Sequence, residues 1–187
     1  MAVAHLNPAS STTNISWDQT DVSYLDAGDT AHVWTTTTNN ANLIVTLDDF
    51  DNTGVASIDS IQVVLVGNYA ARSGSWTAAT RITTSAGDYN ENLTVPAGRT
   101  ASIVTGTART TSDGSAAWTD GNLDEMSARV FSSDCTDKGQ LVQFYIRVTY
   151  TEAATGYTHT VNGVAAASIA TVKGVATANI ETVIGVD

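Results

Sequence analysis

The stretch L-V-Q-F-Y-I-R-V-T-Y, Leu141 to Tyr150, decides the fold. Val142, Phe144, Ile146 and Val148 fall on one side of an extended chain, and Gln143, Tyr145, Arg147 and Thr149 on the other. A period of two with one apolar and one polar side marks an antiparallel strand with a core face and a wet face. Upstream, Ser127 to Ser132 (S-A-R-V-F-S) reads as its hairpin partner, joined to it through Ser133 to Gln140.

The same alternation recurs toward the N-terminus. Ser75 to Thr84 places Trp76, Ala78, Thr80 and Ile82 on one side and Arg81 opposite. Ile58 to Val66 is the strongest strand, with Asp59 and Gln62 predicting a half-exposed start and a buried end, and Gly67-Asn68 breaking it. Leu43 to Leu47, Ala31 to Thr35, Asn14 to Asp18, Asn92 to Val95 and Ala101 to Arg109 complete the set. Between them lie turn signals such as Pro96-Ala97-Gly98 and Asp113-Gly114-Ser115. No run of ten residues before position 152 keeps a period of 3.6. About eight to ten short strands with turns between them predict an all-β chain: an antiparallel β-sandwich, specifically a jelly roll.

Composition agrees. Charged residues make up only 14% of the 187, and β-branched Thr is abundant, as in Thr35 to Thr38, which favours strands over helices. A net charge of -11, with eight Lys and Arg, excludes the basic face that nucleic acid binding requires. Met1 to Pro8 lacks the basic and apolar regions of a signal peptide, and no window is apolar for long enough to span a membrane, so neither is expected. With no such signal, the sequons at Asn14 and Asn92 are read as chance.

The C-terminal stretch from His159 to Asp187 has a different character. It repeats on itself at a step of about 11 residues, aligning Val161, Val172 and Val183; Gly163, Gly174 and Gly185; Val164, Val175 and Val186; and Ile169 with Ile180. So short a unit cannot bury its own apolar face, and a free tail of this kind invites aggregation. A right-handed helical array at 3.67 residues per turn is disfavoured by its glycines and β-branched residues. Asn162-Gly163 is a hairpin signal, weakened where Lys173-Gly174 and Ile184-Gly185 replace it. An extended arm that completes sheets or a small solenoid with neighbouring chains is the expected form. The predicted organisation is therefore an N-terminal arm over residues 1–13, a sandwich over 14–151, and an assembly arm over 152–187.

His5, His32 and His159 are scattered and lack carboxylate or thiol partners at useful spacing, so no triad or metal site is expected. Cys135 is the only cysteine and reads as a plain thiol. Asp48, Asp49, Asp51 and Asn52 could offer oxygens to calcium, but lack a full loop with its closing Glu and read first as a solvated turn. Trp17, Trp34, Trp76 and Trp118, with Tyr69 and Tyr89, could form a sugar-stacking platform, although packing is the commoner use of such rings. Gly-x-Ser-x-Gly and glycine-rich phosphate loops are absent. No enzyme, cofactor or metal is predicted.

Two segments carry a resemblance. The run V-N-G-V-A-A-A-S-I-A-T-V-K-G-V, from Val161 to Val175, resembles the tandem Val/Ile-Asn-Gly-Val repeats of structural proteins of tailed bacteriophages. The run from Trp118 through Asn122-Leu123-Asp124 and Arg129-Val130 to Arg147-Val148-Thr149-Tyr150 resembles the end of jelly-roll modules in phage virion proteins. Together they cover about a third of the chain. The resemblance implies a virion component such as a capsid decoration (cement) protein, or a neck or tail appendage. Its partners would be further copies of itself, a trimer being the guess for its symmetry, and a major capsid or other virion protein. A carbohydrate-binding adhesin, with a glycan as partner, and a self-polymerising fibre subunit are the alternatives.

Overall fold

A computed structural model describes residues 1–28, 31–38, 40–69, 75–112, 115–124, 126–133, 135, 139–153, 171–172 and 175–176. The chain divides into two units, Met1–Thr151 and Glu152–Asp187. In the first, ten strands form two antiparallel sheets that enclose one apolar core.

The strands are β1 (Ala2–Leu6), β2 (Pro8–Ile15), β3 (Trp34–Thr36), β4 (Asn42–Leu47), β5 (Val55–Tyr69), β6 (Ser75–Thr84), β7 (Gly87–Pro96), β8 (Ser102–Thr105), β9 (Ser127–Ser132) and β10 (Gly139–Glu152). One sheet runs β1-β10-β5-β8, with β3 also pairing β10, and the other runs β2-β4-β9-β6-β7. From β4 onward the chain crosses between sheets at every connection except the β6–β7 hairpin. Without the added strands β2 and β3, the two orders 1-10-5-8 and 4-9-6-7 are those of an eight-stranded jelly roll. The expected fold is therefore the observed one.

Alternation builds the core as the sequence predicts. Trp76, Ala78, Thr80 and Ile82 of β6 point inward and are buried. They meet Leu43, Val45, Ala128 and Val130 of their own sheet and Ile61, Val63, Leu65, Phe144, Ile146 and Val148 of the other. Asp59 and Gln62 sit in the half-exposed first half of β5, and Val63 to Leu65 are buried.

Five expectations are corrected. The predicted N-terminal arm, residues 1–13, forms β1 and most of β2, paired to β10 and β4. The strand expected over Asn14–Asp18 ends at Ile15; Ser16 turns with φ 63°, and the Trp17 ring packs edge-on to Trp76 at 6.2 Å. Strands β9 and β10 are no hairpin: β9 lies between β4 and β6, while β10 lies in the opposite sheet beside β1 and β5. Period two fixes which side of a strand faces the core, but long-range topology fixes its neighbour. On β10 the core takes Leu141, Phe144, Ile146 and Val148 and leaves out Val142, so the alternation slips by one residue near Gln143. Finally, Gly67-Asn68 does not end β5, which continues to Tyr69.

In the second unit the described residues form two short strands, β11 (Thr171–Val172) and β12 (Val175–Ala176), paired antiparallel with Val172 opposite Val175.

Candidate functional site

Of the residues singled out in the repeat, Val172 and Val175 are described, and they face each other across the β11–β12 pair. Val161, Gly163, Val164, Ile169, Gly174, Ile180, Val183, Gly185 and Val186 lie outside the described residues, as does His159. The hairpin signal at Asn162-Gly163 lies outside the described residues.

The aromatic set is a packing set. Trp34 and Trp76 are fully buried, and Trp17, Trp118 and Tyr69 nearly so. Tyr89 is half-buried and packs edge-on to Trp118 at 5.7 Å. A sugar-stacking platform needs exposed ring faces, so these rings do not make one. Two of the buried indoles are hydrogen-bonded: Trp76 Nε1 donates to the Asn68 carbonyl at 3.3 Å, and Trp118 Nε1 to the Arg109 carbonyl at 2.8 Å.

The two described histidines, His5 and His32, each lie against an aromatic ring. His5 lies 4.7 Å from the Tyr145 ring, and His32 stacks on Tyr24 at 3.8 Å with an interplanar angle of 7°. The Cys135 thiol is buried, accepts from the Gly139 amide at 3.1 Å and approaches the Thr36 carbonyl at 3.7 Å.

The acidic run after β4 behaves as a turn. Asp51 Oδ1 accepts from the Thr53 amide at 2.9 Å, and this backbone hydrogen bond, helped by the Thr53 hydroxyl, lowers the Asp51 pKa below its ordinary value. Asn52 Nδ2 donates to Asp120 Oδ2 at 2.6 Å, tying the turn to the short helix α1 (Asp120–Leu123). Asp48, Asp49 and Asp51 are exposed. Among the described residues, no group of three or more His, Cys, Asp or Glu is placed to hold a metal ion. A shallow cleft of about 300 Å³ opens beside this turn, lined in part by Asn52, Ser57, Trp118 and Asp120.

Sequence reading did not single out the outer faces of the two sheets. On the β1-β10-β5-β8 sheet, in-register pairing turns Val3 and His5 outward with Thr149 and Arg147. Beyond β10, Val64 and Val66 of β5 are paired with Thr105 and Ile103 of β8 on the same side. Arg147 Nη2 donates to Gln62 Oε1 across this face. On the β2-β4-β9-β6-β7 sheet, Arg81 of β6 lies directly opposite Arg129 of β9, because their neighbours Thr80, Ile82, Ala128 and Val130 point inward. Arg129 Nε donates to Asn42 Oδ1 at 2.7 Å, and its guanidinium sits 4.8 Å over the Phe131 ring. Among the described residues, Arg81 has one loose carboxylate partner, Asp88 at 3.5 Å, and its Nε is buried without a hydrogen-bond partner.

The chain matches no protein-family model and no curated protein. Among the described residues, no helix is long and apolar enough to cross a membrane.

Proposed function

We propose that this chain is a non-enzymatic structural protein of a virion, a jelly-roll subunit of the capsid decoration type that attaches through its C-terminal repeat. One observation carries the reading: the jelly roll is complete by the end of β10, with both strand orders filled from residues before the repeat. The repeat, with its regular Val, Ile and Gly spacing, is then not required to complete either sheet, and its role in this reading is attachment. Many identical weak contacts across a lattice would add by multivalency, which suits a segment of low charge and modest apolar area. The buried tryptophans favour this reading over the glycan-binding alternative, since the rings that could stack on sugars are spent on packing.

A chain ending at Thr155 tests it. The shortened protein is expected to fold as the full chain does, yet fail to assemble or to bind particles that the full chain decorates. Assembly or binding equal to that of the full chain would overturn the reading.

A further inference from the structure

We infer that Arg81 and Arg129, on the outer face of the β2-β4-β9-β6-β7 sheet, form a binding site for one doubly charged tetrahedral oxyanion of the phosphate or sulfate class. The site goes beyond the assembly reading and does not depend on it, since both arginines belong to strands of the first unit.

The argument begins with a local conflict. Like charges directly opposite each other on neighbouring strands destabilise a sheet. Two of only eight basic residues in a chain of net charge -11 make such a pair here. Little among the described residues offsets it. The carboxylate that reaches Arg81 is Asp88 at 3.5 Å, and the two side chains are 34% and 46% exposed, so solvent screens the contact. The Arg81 Nε is buried without an acceptor, which leaves a donor unmet. Arg129 donates its Nε to Asn42 Oδ1 and rests over the Phe131 ring, and both partners are neutral. Those contacts orient the guanidinium and leave its Nη1–Nη2 edge for a ligand.

Residues directly opposite on antiparallel strands hold their Cβ atoms about 5 Å apart, so two arginine side chains reach one group lying above the sheet. Charge and shape then define that group. Two fixed positive charges are matched by a dianion. A planar carboxylate carries one charge and fills a single guanidinium fork, whereas a tetrahedral oxyanion offers separate oxygens to two forks. The outward positions around the pair add neutral donors. Thr83 and Ser127 face each other on the next rung of β6 and β9, and Asn90 of β7 lies opposite Arg81. Asp88, opposite Thr83, competes with the ligand for Arg81. The acidic chain as a whole repels anions, so saturable binding at one place marks a built site rather than general attraction.

Titration of the full chain with sodium sulfate, followed by proton–nitrogen NMR at constant ionic strength, tests this. Saturable shifts centred on Arg81, Arg129 and their strand neighbours are expected, with one sulfate per chain and a dissociation constant of about 1 mM. Acetate, a planar monoanion, should bind about tenfold more weakly. Arg81→Gln and Arg129→Gln should each weaken sulfate binding about tenfold with an unchanged circular dichroism spectrum. Asp88→Asn, which removes the competing carboxylate, should tighten it about threefold. Inorganic phosphate and glycerol phosphate, titrated in parallel, separate the two sources of the same chemistry. Equal affinity for both assigns the terminal group of a larger ligand, and binding of inorganic phosphate alone assigns the free ion. No saturable shift up to about 20 mM sulfate would overturn the inference. So would shifts that persist unchanged in both glutamine variants, or acetate binding as tightly as sulfate.

Discussion

At Gly67 the backbone of β5 passes so close to β10 that a Cβ would lie inside contact distance of the Gln140 carbonyl oxygen. The glycine therefore permits two strands to approach rather than ending one. Gly67→Ala is expected to destabilise the sandwich by about 1–3 kcal/mol, measured by urea unfolding, because the obstacle is backbone and cannot rotate away. Trp76 fills the core from β6 with no exposed surface, and Trp76→Ala should cost about 3–5 kcal/mol in the same assay. At Asp51 the effect is electrostatic and small. Its pKa is held below the ordinary value of an aspartate by the Thr53 amide and hydroxyl. A depressed carboxylate contributes stability above its unfolded value, and that contribution is lost as pH falls through the folded value. Titration followed by carbon-13 NMR should place the Asp51 midpoint below that of a free aspartate, and Thr53→Pro, which removes the donating amide, should raise it.

Among the elements, β7 shows how the outer strands are held. Glu91 accepts from the Thr107 amide at 2.9 and 2.8 Å and from its hydroxyl at 2.6 Å, fastening β7 to the segment after β8 in the other sheet. Glu91→Ala should destabilise by about 1–3 kcal/mol and raise hydrogen exchange selectively at Thr107 and its neighbours. How much of this was legible varies with the kind of signal. Strand β6 could be read to its end residues, since Trp76, Ala78, Thr80 and Ile82 alternate without interruption. Strand β2 could not, because Ala9, Ser10, Ser11 and Thr12 are all exposed and carry no apolar alternation to read. The pairing of β9 escaped for a different reason: its partners β4 and β6 lie far away in the chain, and alternation is silent about neighbours. Arg81 and Arg129 escaped with it, since only that pairing brings them together. The tryptophans were correctly weighed as packing residues because a sandwich of this size has few other ways to fill its centre.

For the whole molecule, the division at Thr151 makes a prediction about stability. A chain ending at Thr155 should melt cooperatively within about 2 °C of the full chain, since all ten strands of the two sheets come from residues before the repeat. A larger drop in a calorimetric scan would mean that the repeat contributes to the core. Strand β1 has a further consequence, which concerns time. Its partner is β10, and the register joins Ala2 to Tyr150, about 150 residues apart. A strand made well before its partner is thus among the last to find its place, and β5 likewise waits for β10. A topology dominated by such distant pairings folds slowly. While synthesis proceeds, half of the sandwich is present with its central strand missing, and its apolar side is open to wrong partners. The sparse charge of the core strands makes that interval hazardous, and the acidic surplus elsewhere on the chain keeps the waiting copies apart until β10 arrives.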